Sequence, residues 1–150
     1  DTSSVTNMGA MFYDAKAFNR NINAWDTSNV IDMNAVFWSA YTFNQDLNAW
    51  DTSNVNNMHN MFYAATAFNQ NLCNWDISSG PNTNGMFTGS NCDTKSDPTE
   101  DAMCQSCVGR RLGSSNNSNN SNNNNKRSKG AMFYDAKAFN RNINAWDTSN

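Results

Sequence analysis

Residues 26–50 read DTSNVIDMNAVFWSAYTFNQDLNAW, and the same 25-residue pattern fills residues 1–25 and 51–75 without insertion or deletion. A fixed short period is the sequence signature of a repeat protein. Because one such unit cannot bury its own apolar side chains, each unit has to stack on its neighbours. The pattern therefore predicts a solenoid whose coils are 25 residues long.

The spacing of apolar residues changes within each unit and predicts the local structure. Val30, Met33 and Phe37 recur at intervals of three and four residues, which indicates one face of a short helix. Residues 47–52 read LNAWDT, a spacing that favours a short strand leading into a tight turn. The predicted fold class is an α/β solenoid of leucine-rich-repeat-like coils, each a short strand, a turn and a short helix.

Aromatic side chains recur at the same positions in every unit. Stacked coils would place them in columns, where each ring packs against its neighbour in an offset arrangement. The expected core contains one tryptophan and two phenylalanines per unit: Trp25, Trp50, Trp75, Phe12, Phe37, Phe62, Phe18, Phe43 and Phe68. Asparagines at repeated positions, such as Asn44 and Asn54, are expected to bond backbone groups of the same or the next coil, with ligand binding as the alternative.

All four cysteines lie within 35 residues at the end of the repeats: Cys73, Cys92, Cys104 and Cys107. An even number clustered there predicts two disulfides that hold a C-terminal cap, in an oxidising compartment. Three connectivities are open. Zinc is the alternative, because the spacing of Cys104 and Cys107 is that of half a zinc site. The expected location is extracellular or at the cell surface.

The composition changes after the last cysteine and divides the chain. Residues 1–107 are predicted to form three full coils and a degenerate capping coil. Residues 108–129, rich in Asn and Ser, are predicted to be a flexible linker. Residues 130–150 repeat residues 9–29 letter for letter and are interpreted as the truncated start of a second copy. The chain is therefore expected to be a window on a longer tandem protein.

Charge and hydropathy exclude two classes of partner. The net charge is -3, and residues 1–100 carry ten acidic and three basic groups. Such a surface lacks the positive face that nucleic acids require. No stretch approaches the roughly 20 apolar residues that cross a bilayer, so no membrane insertion is expected within this segment. Two N-glycosylation sequons, at Asn116 and Asn119, fit a secreted glycoprotein.

An aspartate opens every unit and defines the sharpest candidate site. Stacking would bring Asp26, Asp51 and Asp76 to about 4.8 Å from one another, the distance between neighbouring strands. Each carboxylate is expected to accept backbone N–H bonds in an Asx turn. A calcium ion held by these three aspartates is the alternative metal site, and no other cofactor is expected. The candidate ligand contacts are the outward polar residues of this turn: Asp26, Ser28, Asp51 and Ser53.

The repeat motif from Trp25 through Trp75 resembles the BspA-like surface-protein repeat. It reads W-D-T-S-N-V-x-x-M-x-x-M/V-F-x-x-A-x-x-F-N-Q/R-x-I/L-x-x-W. That family is loosely grouped with leucine-rich repeats. The segment MFTGSNCDTKSDPTEDAMCQSC, residues 86–107, is similar to the cysteine-bearing cap of algal members. The resemblance implies a right-handed leucine-rich-repeat-like solenoid on a cell surface, with adhesion or partner binding as the usual role and no catalytic residues.

The sequence contains no Ser/His/Asp or Cys/His arrangement and no glycine-rich phosphate loop, which predicts that the protein is not an enzyme. The expected function is an extracellular or cell-surface module for adhesion to a protein or glycan, repeated along a linker for multivalency. The alternative is a structural unit that self-associates into an extracellular filament or wall. Mineral or ice binding by the regular Thr, Ser and Asn rows at residues 27–29 and 52–54 is a third interpretation.

Overall fold

The structure of the chain is a computed structural model, and it describes residues 1–107. These residues lie within the first of the two units into which the chain divides, Asp1–Asn116. The described part contains no α-helix, and its strands are β1 (Ala102–Met103) and β2 (Gln105–Ser106). We number the repeats coil 1 to coil 4, beginning at residues 1, 26, 51 and 76.

A ladder of backbone hydrogen bonds joins each coil to the next. Isolated parallel bridges link Asn7 to Asp32, Asp32 to Asn57, and Asn57 to Asn82. Beside these bridges, alternate residues donate their N–H to the following coil: Ala10 to the Asn34 carbonyl (2.8 Å), Phe12 to Val36 (2.9 Å) and Asp14 to Trp38 (2.7 Å). Coils 2 and 3 repeat this pattern, so the described coils are stacked at an offset of one repeat.

The segment predicted as a helix is a run of turns. The residues between the ladder donors bond three residues back, as when Trp38 N–H donates to the Ala35 carbonyl (3.2 Å). Ala35 and Ser39 have φ angles of 52° and 54°. An α-helix needs negative φ throughout and bonds to the fourth residue back. The helix prediction is therefore wrong, because alternate N–H groups bond the next coil instead of their own.

The strand predicted at residues 47–52 is also absent from the described structure. Asn48 and Ala49 form a turn that Trp50 N–H closes on the Leu47 carbonyl (3.1 Å). The predicted α/β solenoid is thus contradicted: coils 1 to 4 consist of turns and isolated bridges, without the strand and helix that this fold class requires. Apolar spacings of three and four residues suit successive turns as well as a helix, because both structures bring residues three or four apart to the same side of the chain.

Aromatic rings of neighbouring coils stack in columns. Phe37 lies 5.5 Å from Phe12 and 5.3 Å from Phe62, measured between ring centroids. Trp50 and Trp75 lie 6.3 Å apart with their planes within 1°. The predicted core residues of coils 2 and 3 are buried, whereas those of coil 1 are only partly buried: Phe12, Phe18 and Trp25. Coil 1 packs on coil 2 alone within the described residues, which leaves these rings more exposed.

Polar side chains complete the contacts between coils. The Thr52 hydroxyl, 1% exposed, donates to the Asp76 carbonyl (3.0 Å) and accepts a bond from Asp76 N–H (2.9 Å). Asn54 Nδ2 donates to the Ser28 carbonyl (2.8 Å), and Asn44 Oδ1 accepts from Asn69 N–H (3.1 Å). These repeated asparagines therefore bond backbone groups of the neighbouring coil, which supplies partners to turns that would otherwise be unsatisfied.

Two disulfides hold the C-terminal segment, so the predicted disulfide bonding is confirmed. The bonds join Cys73 to Cys107 and Cys92 to Cys104, one of the three connectivities that the sequence left open. The first bond ties the end of the described chain to coil 3. β1 and β2 pair antiparallel, with Ala102 opposite Ser106. The predicted linker, residues 108–129, and the predicted second copy, residues 130–150, lie outside the described residues.

Candidate binding surface

The predicted ligand contacts in the Asp-Thr-Ser turns bond one another. The Asp26 carboxylate accepts bonds from the Ser28 N–H (3.0 Å) and the Ser28 hydroxyl (2.6 Å). Asp51 accepts the same pair of bonds from Ser53, at 2.9 and 2.7 Å. These hydrogen bonds, the hydroxyl's first, hold the pKa of both carboxyls below the ordinary value. The structure thus brings these residues together at the surface as paired turn contacts.

The aspartates proposed as a calcium site each have a partner within their own turn. Asp76 accepts a bond from Ser78 N–H (2.8 Å), and its pKa is also lowered by hydrogen bonds from Ser78. Neighbouring Asp26 and Asp76 act in the opposite sense on the pKa of Asp51, which they raise slightly. In the described residues no group of three or more His, Cys, Asp or Glu side chains is arranged to hold a metal ion. Calcium binding at these aspartates stays a prediction.

A second surface, which the sequence analysis did not single out, carries a file of aromatic rings. Tyr13, Trp38 and Tyr63 stack one per coil, with centroid distances of 5.7 and 4.3 Å. We call these three residues the aromatic ladder. Tyr13 is 53% exposed, and Trp38 and Tyr63 are half-buried. Both faces of the Trp38 indole are covered by the tyrosines, so the ladder presents mainly ring edges to solvent.

The polar groups of the ladder have no bonding partner in the part of the chain that is described. Trp50 and Trp75 donate their indole N–H to the carbonyls of Ile22 (3.1 Å) and Leu47 (2.9 Å). The Trp38 indole N–H makes no such bond with residues 1–107. Tryptophan N–H groups usually find a partner when they are buried. Trp38 is therefore unlike the core tryptophans, since its donor is left for solvent or a ligand.

One further aromatic residue and one ion pair lie beside the ladder. Tyr41, three residues after Trp38, is 41% exposed. Lys16 Nζ lies 5.8 Å from the centre of the Tyr41 ring and 3.5 Å from Asp14 Oδ1. Tyr41 is thus a further exposed ring close to Trp38 in the sequence, and the charges of Asp14 and Lys16 beside it compensate each other.

The signal for the ladder is present in the sequence. An aromatic residue directly follows the first core phenylalanine in coils 1 to 3, as Tyr13, Trp38 and Tyr63. The same pair recurs as Phe133 and Tyr134 in residues 130–150. In the structure the second ring of each pair is less buried than the phenylalanine before it, as the 53% exposure of Tyr13 shows. The sequence repeats this second aromatic position, and the structure places it at the surface.

The remaining predicted site residues fall in two groups. The four cysteines are paired as described above, so they are not available as zinc ligands. Both sequon asparagines, Asn116 and Asn119, lie outside the described residues. Within residues 1–107, no helix has the length and apolar character needed to span a membrane.

These features define a class: a repeat protein of stacked 25-residue coils, closed by a disulfide-bonded C-terminal segment. A family model described as "Mycoplasma protein of unknown function, DUF285" matches residues 1–99 and 112–150. The chain belongs to the DUF285 family. No curated protein and no solved structure matches it. The two disulfides are typical of proteins in oxidising, extracellular environments.

Proposed function

We propose that the protein is a non-enzymatic extracellular binding module of the adhesion type, and that the aromatic ladder is its contact surface. The observation that supports this proposal is the stacked file of the exposed Tyr13 and the half-buried Trp38 and Tyr63, whose donor groups have no partner among the described residues. Tyr and Trp are enriched at binding surfaces because they offer a large apolar area together with a polar tip.

The backbone next to the ladder residues is held by hydrogen bonds, which supports a binding role for these side chains. The backbone at Asp14, Ser39 and Ala64 donates to the next coil at 2.7 to 2.8 Å, directly beside each ladder residue. Stacking between the rings restricts their rotamers before any ligand arrives. Contact with such preorganised aromatic side chains loses little conformational entropy, so a small surface can bind with useful affinity.

Display outside the cell is part of the proposal. The two disulfides and the resemblance of the repeat to BspA-like surface proteins support it. The repetition of residues 9–29 at residues 130–150 supports a tandem arrangement, in which several weak sites act together. Linked sites gain an effective concentration that raises the overall affinity without new contacts.

Self-association into a filament is the second candidate, and one observation favours it. The ladder has the order Tyr, Trp, Tyr, so two copies facing each other in opposite directions would place Trp38 on Trp38 and Tyr13 on Tyr63. Such a self-complementary patch is typical of two-fold interfaces. However, the half-exposed ladder and Tyr41 offer on the order of 400 Å². A stable dimer buries about 800 Å² per partner, so a dimer would have to add further surface around these rings to the contact.

Mineral or ice binding has weaker support. Thr27 and Thr52 are 2% and 1% exposed, and their hydroxyls donate to the carbonyls of Asp51 and Asp76. Hydroxyls that are bonded inside the stack cannot present a regular lattice to a crystal surface.

Sedimentation velocity and surface binding on the full chain test the proposal. We expect a monomer that binds saturably to at least one immobilised extracellular polysaccharide or matrix protein. The variant Trp38→Ala should weaken this binding about tenfold or more, as truncation of a central aromatic contact does. Ile31→Ala removes another exposed apolar side chain (46% exposed) outside the ladder and serves as the control. Regular fibres formed without any ligand would favour the filament instead.

A further inference from the structure

We infer that the ladder binds an uncharged polysaccharide, whose chain runs along the stack and crosses successive coils. This inference rests on the proposed function, because it assigns a ligand class to the same surface. Three properties of the surface carry it: its hydrogen-bonding groups, its charge and the orientation of its rings.

The hydrogen-bonding groups of the surface are the Trp38 N–H and the hydroxyls of Tyr13, Tyr41 and Tyr63. An indole N–H only donates, and a phenol both donates and accepts. The backbone N–H groups at this position are already committed: Phe12 donates to Val36 and Phe37 to Met61. A ligand therefore has to offer hydrogen-bond acceptors along its length to the indole N–H and the phenol hydroxyls. Its own donors have to be able to bond water instead of the protein. Sugar hydroxyls and ring oxygens meet both conditions.

An extended peptide meets these conditions less well. A peptide added to a sheet edge bonds through alternating backbone donors and acceptors. The segments that carry the ladder residues are not strands, and their backbone N–H groups donate to the next coil or within their own turns. A peptide lying there would leave several of its own N–H groups unpaired against aromatic edges, and unpaired buried donors cost free energy.

The charge around the ladder disfavours anionic ligands. Residues 1–100 carry ten acidic groups and three basic groups, so the module as a whole repels anionic polymers. At the ladder itself, Asp14 and Lys16 lie 3.5 Å apart and compensate each other. No net charge is left to attract a sulfate or a uronic acid. An uncharged ligand avoids both the repulsion and the desolvation of an ionic group.

The orientation of the rings sets the direction of the ligand. The ladder rings cover one another's faces at 5.7 and 4.3 Å, so a sugar contacts their edges and polar tips in succession, one per coil. Tyr41 has no ring stacked on it in the described residues, is 41% exposed, and has Lys16 Nζ 5.8 Å from its ring centre. An extended chain that follows the ladder can therefore place successive sugars along Tyr13, Trp38 and Tyr63.

Affinity electrophoresis of the full chain tests this inference with a defined panel. The uncharged probes are hydroxyethyl cellulose, laminarin, galactomannan and dextran, the anionic probes are heparin and alginate, and the peptide probes are gelatin and poly-L-proline. We expect retardation by at least one uncharged polysaccharide, with an affinity that changes less than about twofold between low and high salt, since no counterions are released. Trp38→Ala should weaken it about tenfold or more.

Two further variants separate contact from folding. Trp38→Phe keeps a ring between Tyr13 and Tyr63 but lacks the N–H, so it should bind between wild type and Trp38→Ala. Ile31→Ala should bind as wild type. Retardation by heparin, alginate or the peptides alone, if it depends on Trp38, would overturn the uncharged-ligand inference but retain the ladder as a contact surface. Retardation that is unchanged in Trp38→Ala would overturn both the inference and the ladder as the contact surface. Absence of retardation with every probe would overturn the inference, and the surface-binding assay on matrix proteins then decides the proposed function separately.

Discussion

At the residue scale, buried polar groups decide how tightly coils adhere. Thr52 bonds both the carbonyl and the N–H of Asp76, and it is nearly completely buried. Trp75 bonds the Leu47 carbonyl through its N–H while its ring stacks on Trp50. Each of these side chains satisfies a backbone group of another coil, so its loss leaves a buried group without a partner.

Thr52→Val tests this role. Valine has nearly the shape of threonine but lacks the hydroxyl, so Asp76 loses a donor and an acceptor inside the stack. We expect the free energy of unfolding, measured by urea denaturation, to fall by about 1–3 kcal/mol. Thr66→Val is the control, because Thr66 is exposed and its hydroxyl makes one long bond (3.3 Å) to Tyr41. Equal effects of the two substitutions would contradict the argument.

The aspartate turns should make stability depend on pH. Hydrogen bonds from serine lower the pKa of Asp26, Asp51 and Asp76 in the folded protein. A carboxyl whose folded pKa is depressed stabilises the fold above its unfolded pKa, about 3.9, and this contribution is lost as the pH falls through the folded pKa. The melting temperature should therefore drop as the pH falls below about 4.

Ser53→Ala isolates one of these turns. It removes the hydroxyl that contributes most to the lowered pKa of Asp51, while the backbone bond stays. Carbonyl-detected NMR titration should show the pKa of Asp51 rising toward its ordinary value, with Asp26 unchanged as the internal control. A titration of Asp51 that is identical in wild type and variant would show that the hydroxyl does not stabilise the carboxylate.

At the scale of the element, the repeated unit is a run of turns whose left-handed residues recur four apart. Positive φ occurs at Ala35 and Ser39 in coil 2, and at Asn60 and Ala64 in coil 3. The corresponding positions in coil 4 are glycines, and Gly85 also has a positive φ of 67°. A left-handed backbone conformation costs an ordinary residue roughly 1–2 kcal/mol, so the backbone hydrogen bonds to the next coil have to offset this strain.

Substitution of alanine by glycine distinguishes these turns from a helix. In a helix every such change destabilises by about 1 kcal/mol. Ala64 has a φ of 55°, so Ala64→Gly relieves strain and should stabilise the fold by about 0.5 kcal/mol, after the greater freedom of glycine in the unfolded chain is subtracted. Ala67 is also half-buried but does not have a positive φ. Ala67→Gly should therefore lower the free energy of unfolding by about 1 kcal/mol. Losses at both positions in thermal unfolding would contradict the turn structure.

At the scale of the whole molecule, the described part of the chain is closed by its two disulfides. The Cys73–Cys107 bond spans 34 residues and ties the last described residue to coil 3. The Cys92–Cys104 bond spans 12 residues within the C-terminal segment. Gln105 Nε2 also donates to the Asn69 carbonyl (2.6 Å), so this segment covers the end of the coil stack by both kinds of contact.

Removal of each bond should destabilise the fold by different amounts. A longer loop releases more chain entropy when its disulfide is lost, so the double variant Cys73→Ser with Cys107→Ser should lose about 4 kcal/mol. The variant Cys92→Ser with Cys104→Ser should lose about 3 kcal/mol. Guanidinium denaturation of both variants measures the difference, and the reverse order would show that strain or packing, not loop length, dominates.

The sequence by itself determined the repeat length, the aromatic columns and the presence of disulfides, because these follow from which residue types recur and where cysteines cluster. Tertiary structure decided the rest. The left-handed φ of Ala35 and Ser39 is stabilised by hydrogen bonds to residues in the next coil. The spacing of residues within one coil cannot predict a bond to a residue in another coil. The disulfide connectivity likewise depends on which cysteines the folded segment brings together. The outward position of Trp38 follows from the same turns.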